Sequence, residues 1–234
     1  MCRPTLQGAV AGLVLWALCS LSMADVVYDS QTDWEADGVQ PDAGVWSYQW
    51  AEMADLDGDY TTMSYWSSGR WEGRVQGVST DPYPFIVQTG NHPTWRQIGG
   101  VGDTKDVGAI RTFTAPFRGP WRLTGYFSDT NANCGNGVLV GIFADEPTGD
   151  DTPVLAFTHI DRLDPDVPDL INYDLSVFLE AGQKLFFRTQ SYSSSACDST
   201  GERHQVELVP EPATVLLLWP AVVVLLAHLR RRRR

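Results

Sequence analysis

The feature that most constrains this chain is the absence of helical periodicity from its middle. Between residues 25 and 209, short runs rich in β-branched and aromatic residues are separated by Gly, Pro, Asp and Asn, a pattern typical of strands joined by turns. Ten short strands with no helices between them predict an all-β domain, built as a two-sheet antiparallel β-sandwich. The candidate strands are residues 26–28, 45–50, 85–88, 109–114, 121–127, 138–143, 154–157, 171–178, 184–190 and 205–209.

Two turns in this region have a clear physical cause. In residues 115–120 two prolines fix φ and lack the amide that a continuing strand would need. Residues 180–183 separate two runs of alternating hydrophobic residues and contain Gly182, which predicts an antiparallel hairpin with the glycine at a positive φ. The Asp- and Pro-rich stretch 161–169 is predicted to be a surface loop.

The N-terminus is typical of a secretory signal peptide. Arg3 gives a positive start, an apolar run follows, and small residues precede a cut between Ala24 and Asp25. Cys19 leaves a lipid-modified cysteine open as the alternative. The chain therefore divides into three parts, of which the second has the size of a single sandwich domain: residues 1–24, 25–209 and 210–234.

The domain is strongly acidic. Residues 25–209 hold 11 of the chain's 17 Lys and Arg and 28 of its 29 acidic residues, which gives a net charge of −17 against −12 for the whole chain. Such a surface repels phosphate backbones and argues against a nucleic-acid partner. It suits an extracellular domain whose charge serves solubility or attracts cations.

The domain contains two cysteines, Cys134 and Cys197. In an exported protein an isolated pair is most simply a disulfide, and two free buried thiols are the alternative. A zinc site is disfavoured because no histidines lie at ligand spacing to complete four ligands. If the two cysteines pair, the disulfide closes the long loop between them and contributes roughly 4 kcal/mol to the free energy of unfolding.

The C-terminal segment carries three features in order. Pro210, Glu211 and Pro212 come first, an uncharged apolar run of 17 residues follows at 213–229, and five arginines end the chain. The run lies at the lower end of what spans a bilayer as a helix. The arginines predict a cytoplasmic C-terminus with the domain on the other side of the membrane.

Together these parts resemble the PEP-CTERM sorting signal, which is processed by exosortase, a membrane-embedded cysteine transpeptidase; an ordinary single-pass anchor is the alternative. The resemblance implies that Pro210, Glu211 and Pro212 are the sorting motif, and that exosortase and signal peptidase process the chain. It also implies an inner-membrane tether through the C-terminal helix during sorting, followed by release to the cell surface or extracellular matrix. The host would be a Gram-negative-type bacterium that makes exopolysaccharide.

The domain itself is similar to the jelly-roll modules found in many such surface proteins. The similarity implies a fold more than an activity, and Trp46 and Trp121 are expected in the core. Gln49, Thr94 and Gln183 depart from the pattern, where such modules carry Gly, Gly and Asp. The segments that carry the similarity include 45–48 (VWSY), 92–93 (HP), 110–116 (IRTFTAP), 119–127 (GPWRLTGYF) and 181–187 (AGQKLFF).

No catalytic arrangement stands out. The sequence lacks the Gly-x-Ser-x-Gly of a serine hydrolase, and His92, His159 and His204 have no partner at a telling spacing, so they are interpreted as structural. Carboxylates are too plentiful for any pair to indicate a glycosidase, which needs a defined separation in space. The chain is therefore predicted not to be an enzyme, with a secreted hydrolase as the third alternative.

Calcium is the one cofactor that the sequence suggests. Asp55, Asp57 and Asp59 alternate as calcium loops begin. The glycine position and the absence of a Glu at the twelfth place exclude an EF-hand. A looser calcium site and an ordinary acidic turn both remain open.

Sugar binding is the main alternative function. Four of the nine tryptophans, Trp50, Trp66, Trp71 and Trp95, fall in turn-rich segments near Gly, Ser and Arg. Exposed aromatic faces stack on sugar rings, whereas buried ones fill a core. The leading hypothesis is a non-catalytic exported protein of the cell surface or matrix, and the alternative is an exopolysaccharide-binding module.

Overall fold

The computed structural model describes residues 26–34, 44–52, 60–73, 84–97, 104–131, 134–145, 151–192 and 198–209. Fifteen strands and no helix lie within these ranges, which confirms the all-β class. The strands are β1 Val27–Asp29, β2 Trp46–Glu52, β3 Thr61–Thr62, β4 Tyr65–Ser67, β5 Arg70–Glu72, β6 Phe85–Val87, β7 Gly90–His92, β8 Thr94–Gln97, β9 Thr104–Thr114, β10 Gly119–Asp129, β11 Val138–Ala144, β12 Thr152–Ile160, β13 Leu170–Leu179, β14 Lys184–Ser191 and β15 Thr200–Leu208.

The strands form two antiparallel sheets. The first sheet has the order β13-β10-β15-β7-β6-β5-β4, and β1 also pairs with β15. The second has the order β12-β11-β14-β9-β2-β3, and β8 also pairs with β9. Inward residues of both sheets pack together in the main core cluster, so the predicted two-sheet antiparallel sandwich of jelly-roll type is confirmed.

The main core lies between the two sheets. Phe113 on β9 contacts Trp46 on β2 and Trp121 on β10, with ring centroids 5.3 and 5.5 Å apart. All three rings are buried, which confirms the prediction for both tryptophans. Burying a side chain of this size contributes about 2–3 kcal/mol relative to leaving it exposed. These rings therefore do much to fix the spacing of the sheets.

The turn at residues 180–183 has the predicted conformation but not the predicted partners. Gly182 has a φ of 86°, as expected. The flanking strands lie in different sheets, however, because β13 pairs with β10 while β14 pairs with β9 and β11. The hairpin prediction is therefore wrong. Two strands facing each other across a core alternate at period two just as two strands of one hairpin do.

Five strands escape the sequence pattern, namely β3, β4, β5, β7 and β8. Each has two to four residues, too few to show an alternation. β4 and β5 form a hairpin closed by Ser68 and Gly69, both at positive φ, which suits a two-residue hairpin loop. The tryptophan-containing stretch that the sequence suggested was turn is therefore part of the first sheet.

The predicted signal peptide at 1–24 and sorting signal at 210–234 lie outside the described residues. Within the described part of the chain, no helix is long and apolar enough to cross a membrane. The three-part division of the chain, with its proposed leader and anchor, therefore stays a prediction.

Candidate functional site

Three of the four tryptophans predicted to stack on sugars have side chains that the structure describes, and these three do not form an exposed platform. Trp50 and Trp71 are only 9% and 2% exposed, because they face inward from β2 and β5 into a core cluster with Tyr48 and Ile86. Trp66 is half-buried and packs on Trp71 with ring centroids 5.2 Å apart. The prediction is corrected for Trp50 and Trp71. The side chain of Trp95 lies outside what the structure describes.

The other predicted site residues fall mostly outside the described ranges. These include Asp55, Asp57 and Asp59, the sorting motif Pro210, Glu211 and Pro212, and Cys197, so the Cys134–Cys197 disulfide stays a prediction. Among the residues that are described, no group of three His, Cys, Asp or Glu side chains is arranged to hold a metal ion.

Three loops meet at one end of the sandwich, where β10, β12 and β14 end and β11, β13 and β15 begin. The register shows this: Val138 lies opposite both Ile160 and Ser191 in the second sheet, and Asp129 lies opposite Thr200 in the first. We call this end the loop rim. Its polar and aromatic residues are Asp129, Asn136, His159, Asp161, Ser191, Tyr192 and Asp198.

Tyr192 presents an aromatic face at the loop rim. The residue is 51% exposed, and its ring stacks on His159 with centroids 3.9 Å apart and planes inclined by 20°. Because the imidazole covers one face of the tyrosine ring, the exposed area comes from the other face and the edge. An amphipathic ring in this position offers a ligand both an apolar surface and a hydroxyl group.

The stacked pair is held by the loop before β11. His159 Nε2 donates a hydrogen bond to the Asn136 carbonyl oxygen at 3.0 Å, and the Tyr192 amide donates to the Gly137 carbonyl at 3.3 Å. A Cβ atom at Gly137 would lie 2.6 Å from His159 Nε2, and Gly137 has a φ of 81°, so this position requires glycine. The aromatic face is therefore fixed before a ligand arrives, which lowers the entropic cost of binding.

Two buried carboxylates organise the surrounding loops. Asp129 accepts hydrogen bonds from the amides of Asn131 at 2.9 Å and Arg162 at 3.0 Å, which ties the loop after β10 to the loop after β12. Asp161 accepts from the Leu163 amide at 2.8 Å. Each carboxylate thus satisfies backbone donors that a loop would otherwise leave unpaired.

Asp198 differs from these two carboxylates because it lacks good partners. The residue is 1% exposed, and neither carboxylate oxygen accepts a hydrogen bond of ordinary geometry from a described residue. Burial raises the pKa of Asp198 to about 7; the Asn136 amide and Ser191 hydroxyl oppose the shift, and the charges of Asp129 and Asp161 add to it. The rim therefore contains a carboxyl group whose ionised form is poorly stabilised.

The loop after β12 brings further acidic groups to the same end. Residues 161–169 form an irregular loop closed by a hydrogen bond from the Asp161 amide to the Pro168 carbonyl, which confirms the predicted surface loop. Asp164, Asp166 and Asp169 are exposed on it, and Arg162 is its one basic residue. The surroundings of Tyr192 are therefore polar and strongly acidic.

A second polar cluster lies in the core, away from solvent. Arg111 Nε on β9 donates to Glu202 Oε1 on β15 at 3.0 Å, joining the two sheets. His204 Nε2 lies 3.1 Å from Glu202 Oε2, and its Nδ1 lies 2.6 Å from the Tyr173 hydroxyl. Arg111, Glu202 and His204 are fully buried and Tyr173 nearly so. A substrate therefore has no path to this Tyr–His–Glu chain in the observed arrangement.

No protein-family model matches the chain, and no curated protein does either. Among solved structures, the chain is similar to a family 35 carbohydrate-binding module from Clostridium thermocellum, at 11% identity and a TM-score of 0.28, covering 59% of this chain and 88% of the module. It is also similar to the CBM22-1 xylan-binding domain of Paenibacillus barcinonensis Xyn10C, at 10% identity and a TM-score of 0.28, covering 50% and 80%.

A third similar structure is the K1 cleaved adhesin domain of Lys-gingipain from Porphyromonas gingivalis W83. It matches at 13% identity and a TM-score of 0.28, covering 79% of this chain and 95% of that domain. Likenesses this distant do not bear on what the chain binds, so its function has to be argued from the loop rim.

The sequence gives little warning of the loop rim. Tyr192 and His159 are 33 positions apart and meet only because β11 pairs with both β12 and β14. The one local indication is Asn136-Gly137 directly before a strand, a pair typical of tight turns. The Asp, Ser and Pro residues between the strands indicate where the loops are, but they do not indicate which loops lie next to each other.

Proposed function

We propose that the chain is an exported, non-catalytic surface or matrix protein whose sandwich domain binds carbohydrate at the loop rim. The observation that carries the proposal is the exposed ring of Tyr192, which stacks on the His159 ring with centroids 3.9 Å apart. Sugar rings present C–H faces that stack on such an aromatic face, while their hydroxyl groups need polar partners around it. The carboxylates, the backbone groups and Arg162 of the neighbouring loops supply such partners.

The export part of the proposal rests on the two ends of the sequence. The signal-peptide pattern at 1–24 and the Pro-Glu-Pro, apolar run and arginines at 210–234 agree in orientation, since both leave the domain outside the cytoplasm. A domain delivered to a polysaccharide-rich surface would meet sugars at high local concentration. A weak, single-platform binding site is sufficient under those conditions, because many copies along one polymer act together.

Sugar binding is tested by replacing Tyr192 with Ala. We expect retention of the purified full-length chain on gels containing neutral and basic polysaccharides to weaken about three- to ten-fold, since one aromatic contact contributes roughly 0.5–1.5 kcal/mol. Phe117→Ala is the matched control, because Phe117 is also exposed but lies at the opposite end of the sandwich, between β9 and β10. Unchanged retention of the Tyr192 variant on every gel that retains the unaltered chain would contradict the proposal.

Processing of the tail is tested by mass spectrometry of surface-localised protein. We expect a mature chain that lacks the five terminal arginines, because the sorting signal is removed when the protein is released. Replacing Pro210, Glu211 and Pro212 with alanine should leave the arginines in place, while the apolar run and basic end are unchanged. An intact Arg234 on surface protein from the unaltered chain indicates an ordinary membrane anchor instead.

A further inference from the structure

The charge of the loop rim restricts which carbohydrates it accepts. Resting on the proposed sugar site at Tyr192, we propose that the rim binds polysaccharides that carry protonated amino groups, and disfavours those that carry uronic acids. Asp198 apart, the carboxylates of the rim and its adjoining loop outnumber the basic side chains there by five to one within the described residues; they are Asp129, Asp161, Asp164, Asp166 and Asp169, against Arg162.

The exposed loop supplies the part of this charge that a ligand reaches. Asp164, Asp166 and Asp169 are all exposed on the loop after β12. Asp164 accepts a hydrogen bond from the Asp166 amide at 2.9 Å. Neither side chain pairs with a basic residue among the described contacts. A charge at such a position acts over about 8 Å at physiological salt, so these carboxylates act on a polymer lying across the rim.

Asp198 makes the charge of the rim depend on pH. It is 1% exposed, and neither of its oxygens accepts a well-formed hydrogen bond within the described residues. Burial raises its pKa to about 7, so it is largely protonated at pH 6 and adds negative charge to the rim only as the pH rises. At pH 6 the charge that a ligand reaches therefore comes from the exposed carboxylates of the loop after β12.

The physical consequence is selection by charge on top of stacking. A protonated amine on a sugar ring is attracted by the acidic rim, and it also favours an aromatic ring face. A uronate carboxylate at the same position is repelled by the acidic rim. In the described ranges, no three side chains are arranged to hold a metal ion that could bridge the uronate and the rim carboxylates. An uncharged sugar gains only the stacking contribution.

The test compares a cationic oligosaccharide with its uncharged N-acetylated form and with an acidic oligosaccharide. Isothermal titration of the purified full-length chain at pH 6 uses a hexamer of β-1,4-linked glucosamine and the same hexamer fully N-acetylated, with hexagalacturonate as the acidic ligand. We expect the glucosamine hexamer to bind about ten-fold more tightly than its acetylated form at 50 mM salt, and the difference to shrink at 500 mM salt. Hexagalacturonate should bind most weakly.

Two pairs of variants separate the rim from the net charge of the domain. Asp164→Asn with Asp166→Asn should weaken glucosamine-hexamer binding several-fold and leave the acetylated hexamer unaffected. Asp174→Asn with Glu180→Gln, which removes two exposed carboxylates elsewhere on the domain, should change neither. Equal loss from both pairs overturns the assignment to the rim.

The remaining outcomes distinguish this inference from the proposed function. If the acetylated hexamer or hexagalacturonate binds as tightly as the glucosamine hexamer, and Tyr192→Ala still weakens binding, the rim binds sugar but the charge inference is wrong. If Tyr192→Ala leaves the binding of every ligand unchanged, or no ligand binds, the proposed sugar site fails and the inference fails with it.

Discussion

Replacing Glu202 with Gln should lower the free energy of unfolding by about 3–5 kcal/mol. Glu202 and Arg111 are both fully buried and joined at 3.0 Å across the two sheets. The amide of Gln fills the same space but removes the charge. Arg111 would then be an uncompensated cation in the core, and such a group costs more than the lost hydrogen bond alone.

The surroundings of this pair explain why the substitution is not compensated locally. Arg111 also donates to the carbonyl oxygens of Ser30 and Val87, each at 2.9 Å, so it is held in place and cannot turn to solvent. Burial alone would raise the pKa of Glu202, but Arg111 and His204 outweigh burial and hold it at about 2. Glu202 is thus ionised throughout the neutral range, and its charge is part of the folded state.

Urea denaturation at pH 7 measures the effect, with Asp174→Asn as control. Asp174 pairs with Arg122 at 2.7 Å, but the side chains of Arg122 and Asp174 are 50% and 59% solvent-exposed. Breaking that pair should therefore hardly move the unfolding midpoint. A Glu202 variant that unfolds as the control does would show that the buried pair carries no net stabilisation. Substituting Glu202 and Arg111 together with hydrophobic residues should recover much of the loss.

This network also shows how far sequence reasoning reaches. β15 alternates strictly, with Glu202, His204 and Val206 buried and their neighbours partly exposed. The sequence pattern predicted this strand only over residues 205–209. It left Glu202 and His204 outside the strand, since charged residues normally point to water. Only a partner from the other sheet, 91 positions away, makes burial of Glu202 tolerable. Contacts of this kind depend on which strands face each other, and the period does not contain that information.

The same reason explains the errors at the candidate site. The sequence placed Trp71 in a turn, because β5 has only three residues and short strands give no alternation. It interpreted the turn at Gly182 as a hairpin, because local chemistry fixes a turn's conformation but not the sheet that each strand joins. No sequence pattern indicated a role for Tyr192, since a lone tyrosine after a strand is ordinary. Its importance comes from His159 beneath it.

Asp198→Asn should stabilise the fold at pH 8 and have a much smaller effect at pH 5. The folded pKa of Asp198, about 7, lies above its ordinary value of 3.8, so the folded state holds this proton more tightly than the unfolded state. The free energy of unfolding therefore falls as pH rises from about 4 to about 7, by up to about 4 kcal/mol. Asn has no proton to lose, and its variant avoids this penalty at high pH.

The pKa shift of another buried group affects stability with the opposite sign, so the variants have to be compared at each pH. Burial lowers the pKa of His204 below 6.5, and its contribution to stability is lost as pH falls. Because His204 is present in both proteins, the difference between the Asn variant and the unaltered chain isolates Asp198. That difference, measured by urea denaturation at pH 5, 6, 7 and 8, should rise with pH and level off above 7. Parallel stability curves for the two proteins would mean that Asp198 keeps an ordinary pKa, and that the rim satisfies its charge.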